Sequence, residues 1–284
     1  MLTCCALRTT LNIHTLFLAF IHTHTHTHTH THTHTPSYFS RYFPDTPVLS
    51  SLGNHEAFPV DQYEGRARDG KTGDSWLYDT VANDWAHWLP DQAVKTVKYG
   101  GFYAARAMPN LVVISMNNNM FQSGDLWWKF NGTDVNNQFP FLIDALQQVR
   151  ALKIKAIIIG HEHGLAAPFE RQFHDIVSDF QDVIIGQHYG HAHASFTCAF
   201  RDHSSNSSSS ISNGGSTRGA GNNRVAALNK PGTPLHSVYI GNSVTTYSAL
   251  NPGFAIYHYD RDFLQKTPPY NIAHDYEEYV GRCE

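Results

Sequence analysis

Gly53-Asn54-His55-Glu56 puts an amide, an imidazole and a carboxylate on consecutive positions just after the short apolar run Pro47-Val48-Leu49. A strand that stops at a Gly turn presents such side chains together. The chemistry available is that of a divalent cation. Asn offers a neutral oxygen ligand, and His is either a ligand or, held beside the ion, a proton donor. A polar turn closing a strand would use the same residue types, so the rest of the chain must separate the two readings.

Two further clusters share the pattern. Gly160-His161 follows Ala156-Ile157-Ile158-Ile159, and Gly190-His191-Ala192-His193 follows shortly after Val183-Ile184-Ile185-Gly186. In a strand-like segment residues i and i+2 point the same way, so His191 and His193 are both expected to face one pair of ions. A single His at a strand end is more often a hydrogen-bonded structural residue. Three Gly-His or Gly-Asn-His elements in order favour a metal centre.

The elements that must position these clusters follow from apolar spacing. Trp76 to Leu89 carries Trp76, Leu77, Val81, Trp85 and Trp88 near helical spacing, closed by Pro90. After the Gly100-Gly101 turn, Phe102-Tyr103-Ala104 and Leu111 to Met116 read as strands, the second fully buried, with Asn117-Asn118-Asn119 at its end. A helix from Phe139 presents Phe141, Leu142, Ala145, Leu146, Val149 and Leu152 on one side. Ala156 to Ile159 forms a buried strand, a second helix carries Phe169, Phe173, Ile176, Val177 and Phe180, and Val183 to Gly186 is again a strand. Leu235 to Ile240 and Phe254 to Tyr259 read as late ordered segments. Strand, helix, strand, helix, strand with polar groups at strand ends is an α/β layered pattern, which collects ligand groups along one sheet edge.

Composition narrows the function classes. A net charge of -4 and the lack of any Arg/Lys cluster interleaved with aromatics argue against nucleic acid as a partner. Cys4, Cys5, Cys198 and Cys283 show no C-x-x-C spacing, so they define neither a zinc knuckle nor a disulfide framework. A bridge between Cys198 and Cys283 and a pair of free thiols both fit the sequence. Asn131-Gly132-Thr133 is a glycosylation sequon, meaningful in a secreted chain.

Residues 1–35 read as separate from the folded domain. Leu16 to Ile21 is an apolar run too short to span a bilayer and without a small-residue cleavage site. Strict His-Thr alternation from His22 to Thr35 is what a CA dinucleotide repeat encodes. Spaced imidazoles there also resemble a metal-binding tract, but the segment has no apolar period and is expected not to fold. The globular domain is expected over 36–265, with a Ser/Gly/Asn-rich flexible insertion at 204–223, and 266–284 as the start of a further region.

The ordered motifs resemble those of the calcineurin-like metallophosphoesterases, whose pattern runs Asp-x-His, Gly-Asp, Gly-Asn-His-Glu/Asp, Gly-His and Gly-His-x-His. The last three elements match Gly53 to Glu56, Gly160-His161 and Gly190 to His193. Within that superfamily the chain resembles the acid sphingomyelinase-like phosphodiesterases. The similarity rests on Trp76-Leu77-Tyr78, Gly100-Gly101-Phe102-Tyr103, Asn131 to Asp134, Gly186 to His191, Thr245-Thr246-Tyr247 and Asn251-Pro252-Gly253.

The resemblance implies an α/β fold, a layered β-sandwich flanked by helices. It also implies a two-metal phosphodiesterase, with zinc in this branch, in which the ions clamp a phosphate and activate water. Residue by residue, Asn54, His161 and His191 would bind one ion and His193 would reach the other. His55 would protonate the leaving alkoxide or stabilise phosphoryl charge, Glu56 would orient the turn, and Tyr247 would line the substrate rim. The implied partner is a phospholipid or other phosphodiester substrate, with peripheral contact with a lipid surface, in a secreted or lysosomal monomer.

Two departures stand beside this. The sole Asp before Asn54 is Asp45, so neither Asp-x-His nor Gly-Asp occurs upstream, and the carboxylate that would bridge two ions has no counterpart. The sequence therefore reads as an N-terminally incomplete family domain that binds metal weakly and hydrolyses little. In Gly160-His161-Glu162-His163-Gly164, His163 competes with His161 as a ligand; His161 is preferred because it directly follows the strand.

Overall fold

Short continuous apolar runs cannot keep one face wet, so they must be covered on both sides, and the chain achieves this by stacking two sheets. The computed structural model describes residues 2–8, 15–21, 39–42, 44–65, 73–131, 133–134, 136–201, 234–244, 250–259 and 275–280. The strands are β1 (Leu2–Arg8), β2 (Thr15–Ile21), β3 (Val48–Leu52), β4 (Tyr103–Met108), β5 (Leu111–Ser115), β6 (Lys155–Ile159), β7 (Ile184–Tyr189), β8 (Phe196–Arg201), β9 (Pro234–Ile240), β10 (Gly253–His258) and β11 (Asp275–Val280). One sheet has the order β11-β10-β1-β2-β3 and the other β4-β5-β6-β7-β9-β8. In the second sheet β5, β6, β7 and β9 run parallel, with antiparallel β4 and β8 at the two edges. Every residue of β3, β6 and β7 is buried, as strands covered on both faces require. Tyr103 and Ser115 both donate their hydroxyls to the carbonyl of Ser50, at 2.8 and 3.1 Å, which ties β3 across to β4 and β5.

Helices α1 (Ser75–Trp85), α2 (Asp91–Gly100), the short α3 (Trp127–Asn131), α4 (Gln138–Ala151) and α5 (Ala167–Asp179) flank the second sheet's chain path. The helix expected over Trp76 to Leu89 ends at Trp85, and Trp88 and Leu89 continue as a turn bonded back to the Trp85 carbonyl. Helix α2 was not expected from apolar spacing, because only Ala93, Val97 and Gly100 are buried. Its boundary residues signal it better: Pro90 precedes it, and Gly101 closes it at φ 77°, a left-handed conformation suited to glycine. In α4 the buried face is Gln138, Phe139, Leu142, Ala145, Leu146 and Val149, whereas Leu152 lies past the helix end and is 60% exposed.

The largest difference from expectation lies in residues 1–35. Leu2–Arg8 and Thr15–Ile21 are strands: β1 pairs with β10 and β2 with β3. Sheet edges leave rows of unpaired amides and carbonyls, and these two segments supply the partners for β3 and β10. An apolar run too short for a membrane is long enough for this. The His-Thr tract, the 204–223 insertion, Tyr247 and Cys283 all lie outside the described residues. Cys198 is exposed on β8 with a free thiol.

Candidate metal centre

In open parallel sheets, ligand groups gather beyond the carboxyl ends of the strands. Here β3 runs into Asn54, β5 into Asn117-Asn118-Asn119, β6 into His161 and β7 into His191, so the three sequence clusters meet at that edge. His161 Nε2 lies 2.9 Å from Asn54 Oδ1 and 3.2 Å from His191 Nδ1. Glu162 Oε1 stands 3.3 Å from the same His191 nitrogen. The ligand atoms of His161, Glu162 and His191 all lie within 4.8 Å of one another.

The turn carrying Asn54 is held from behind. Glu56 is fully buried and accepts the Gly53 N–H at 2.7 Å, and Tyr63 donates to the Gly53 carbonyl. Asp61 Oδ1 accepts from Asn54 Nδ2 at 2.7 Å, which turns the amide oxygen of Asn54 toward His161. Glu56 thus has the turn-orienting place expected for it.

The loop carrying His161 is held by Asn118. Its Oδ1 accepts the N–H groups of His161 and Glu162 at 2.9 and 3.1 Å, and its Nδ2 donates to the Glu162 carbonyl. Gly160 is required for this approach, since a Cβ there would meet Asn118 Nδ2 at 2.8 Å. Asn118→Ala removes all three hydrogen bonds from buried groups. The expected cost is about 2–4 kcal/mol in urea unfolding, at roughly 1 kcal/mol per bond plus desolvated donors, and metal uptake should weaken with it. Unchanged stability and unchanged uptake would contradict the clamp.

His161 is 2% exposed while His163 is exposed, so the residue following the strand is the one at the centre. His55 is half-buried beside it. Burial holds the His161 imidazole well below its ordinary pKa, helped by the charges of His191, His55 and His193. Burial also lowers His191, followed by His163. The Glu162 carboxyl is pushed up to about 8 by burial and by Asp61. Although His191 and Glu162 are within ion-pair distance, these shifts favour neutral forms of both, so without an ion the contact is not a salt bridge.

His191 and His193 differ from the strand picture. Both have positive φ, 66° and 60°, in a bend after β7, so the i, i+2 alternation does not apply. His191 joins the cluster, whereas His193 is outside the His161–Glu162–His191 group though near enough for its charge to act on His161. Sequence reasoning missed Asn118, Asp61 and Glu162 as parts of the site. The signal for Asn118 was available in the Asn117-Asn118-Asn119 run at a strand end, and for Glu162 in its adjacency to His161.

The donor set fits a borderline divalent cation. Imidazole nitrogens with carboxylate and amide oxygens suit a divalent metal ion, and Glu162 Oε1 is buried with no hydrogen-bond partner, an arrangement that a cation would relieve.

The sequence comparisons agree with this geometry. A Calcineurin-like phosphoesterase family model matches residues 27–165. Sphingomyelin phosphodiesterase of Homo sapiens is 28% identical over 243 residues, covering 84% of this chain and 34% of that protein. Sphingomyelin phosphodiesterase A of Dictyostelium discoideum is 34% identical over 230 residues, covering 77% of the chain and 33% of the relative. Cyclic GMP-AMP phosphodiesterase SMPDL3A of Homo sapiens is 29% identical over 241 residues, covering 78% and 46%. The chain thus spans less than half the length of these curated relatives. Stacked sheets, ligand clusters at the carboxyl ends of β3, β6 and β7, and these relatives lead to one assignment: the chain belongs to the calcineurin-like phosphoesterases, alongside the sphingomyelin phosphodiesterases.

Proposed function

We propose that this chain carries part of the active site of a metal-dependent phosphoric diester hydrolase. The observation that carries the reading is the convergence of Asn54, His161 and His191 from three strand ends on one point. Bound divalent ions, zinc in this reading, would neutralise phosphate charge and make a bound water nucleophilic at neutral pH. The chain's residues do the rest. Asn54, His161 and His191 hold one ion, and His193, on the same bend, reaches toward a second. His55 protonates the leaving alkoxide, or stabilises phosphoryl charge, from its place beside Asn54.

The substrate class is a phosphodiester, either a phospholipid such as sphingomyelin or a nucleotide, since named relatives act on each. The loop with exposed Phe58 and Val60 is joined, through Gln62 to Gly124 and Leu126, to the segment that carries exposed Leu126 and, in helix α3, exposed Trp127 and Phe130. That apolar rim supports peripheral contact of a monomer with a lipid surface. A secreted or lysosomal location would let the sequon, whose Thr133 is exposed, be glycosylated.

The test is Zn²⁺-dependent hydrolysis of a chromogenic phosphodiester by the chain, alone and with the family's Asp-x-His and Gly-Asp segments joined upstream. Slow or no turnover is expected alone, and clear turnover when joined, lost in His191→Ala and reduced about 10²–10⁴-fold in His55→Ala. A joined chain without Zn²⁺-dependent turnover sinks the reading. Ion uptake without turnover in the joined chain would instead support a second reading, a non-catalytic homologue or binding module that retains the fold.

A further inference from the structure

We infer that Glu162 is itself a cation ligand, so that Asn54 Oδ1, His161 Nε2, Glu162 Oε1 and His191 Nδ1 together hold one divalent ion of the zinc class. This rests on the reading that the site takes metal, and adds a ligand that the family motifs do not contain. The Glu162 side chain is 8% exposed, and its Oε1 is buried with no hydrogen-bond partner. A buried carboxyl oxygen in that state has lost the partners it would have in water, and a cation bound there would replace them.

Three contacts among the four atoms come near the separation of ligands around one centre, and the ligand atoms of His161, Glu162 and His191 all lie within 4.8 Å of one another. Metal–nitrogen and metal–oxygen bonds of roughly 2.0–2.1 Å in a tetrahedron put neighbouring ligand atoms about 3.4 Å apart. The contacts here are 2.9 Å from Asn54 to His161, 3.2 Å from His161 to His191 and 3.3 Å from His191 to Glu162. Hydrogen bonding among the four does not account for the set equally well. The Asn54 amide nitrogen is committed to Asp61, so its oxygen faces the cluster as an acceptor. A single imidazole N–H on His161 Nε2 can point at Asn54 or at His191, not both. A cation takes a lone pair from each atom at once.

The backbone explains how two consecutive residues reach the same centre. Side chains at i and i+1 diverge in a strand, but β6 ends at Ile159 and the chain bends at His161, and Asn118 grips the amides of both His161 and Glu162 and the Glu162 carbonyl. One carboxylate among three neutral ligands would also leave the bound ion a net positive charge, which suits a phosphodiester anion.

The experiment titrates Zn²⁺ into the metal-free chain by calorimetry, with bound metal counted by mass spectrometry of the protein, and repeats the titration with Co²⁺ while recording its visible spectrum. One ion per chain and an intense, low-coordinate Co²⁺ spectrum are expected. Glu162→Gln, isosteric and still able to keep the Asn118 contacts, should bind Zn²⁺ at least tenfold more weakly and shift the Co²⁺ spectrum, with Glu162→Asp intermediate. On Zn²⁺ binding the wild-type chain should also show a carboxylate infrared difference band absent from Glu162→Gln. If Glu162→Gln matches wild type in affinity and spectrum while His161→Ala loses the ion, the inference falls and the metal reading survives. If wild type takes up no ion, both fall. Should Glu162→Gln not fold, the Asp variant and the wild-type infrared band decide.

Discussion

His161→Ala is expected to abolish stoichiometric ion uptake, with affinity falling by more than about 100-fold, since even groups that only support a ligand are worth roughly 10–100-fold. His161 Nε2 is the atom within reach of both Asn54 Oδ1 and His191 Nδ1, so its removal opens the centre of the cluster rather than one corner. The fold should tolerate the change. The backbone amide of His161 stays bonded to Asn118, and the strand leading to it, Lys155–Ile159, is buried independently of the ring. Ion uptake measured by calorimetry, set against an unfolding curve with chelator present, separates the two effects. Retained uptake would show that the strand-end histidines are structural. His163→Ala, altering an exposed ring, should leave uptake close to wild type and serves as the control.

Asp125→Asn should stabilise the metal-free protein at pH 8 by about 2–4 kcal/mol and change little at pH 4. Asp125 is fully buried; one carboxylate oxygen accepts the Trp127 N–H and the other has no partner. Burial, partly offset by hydrogen bonds from the Trp127 and Tyr63 backbone and reinforced by Asp74 and Asp61, lifts its pKa to about 7. The folded state therefore holds a proton that the unfolded chain releases near pH 4. Stability from this group is complete below that pH, declines as pH rises, and is lost once pH passes about 7. An amide mimics the protonated carboxyl at every pH, so the difference between variant and wild type should grow from pH 4 to pH 7 and then level. Urea midpoints across that range are the measurement, and a difference independent of pH would rule out the linkage. Asp74, also lifted to about 7 by burial, works in the same direction. His188 and His236 work the other way. Burial lowers both to about 3, so they withdraw stability as pH falls below the ordinary imidazole range toward that value. The opposing slopes overlap at mildly acidic pH, where wild-type stability should vary least.

Much of this architecture is legible in the chain because burial on both faces leaves a plain signature. The runs Leu111 to Ile114, Ala156 to Ile159 and Val183 to Gly186 are apolar without alternation and became β5, β6 and the start of β7. Helices α4 and α5 announced themselves by apolar spacing, and the Gly-His endings marked where each strand stops. Helix α2 and strand β8 were less visible. The first buries only a narrow stripe, and the second is an edge strand exposed along most of its length, so neither needed a strong pattern. The places of β1 and β2 were not legible at all, because pairing with β10 and β3 is a long-range event that no local periodicity records.

The site divides along the same line. Residue type and order alone marked Gly53-Asn54-His55-Glu56, Gly160-His161 and Gly190 to His193 as candidate ligand clusters at strand ends, because ligand chemistry is a property of the side chain. Only the tertiary structure decided which of those side chains converge. It brought Asn54 beside His161 across 107 positions of sequence, excluded His163, turned the Gly190 to His193 segment into a bend with left-handed residues, and recruited Asn118, Asp61 and Glu162. Convergence depends on strand order, on the bend at His161 and on the burial that leaves Glu162 Oε1 unanswered, and these exist once the sheets have stacked.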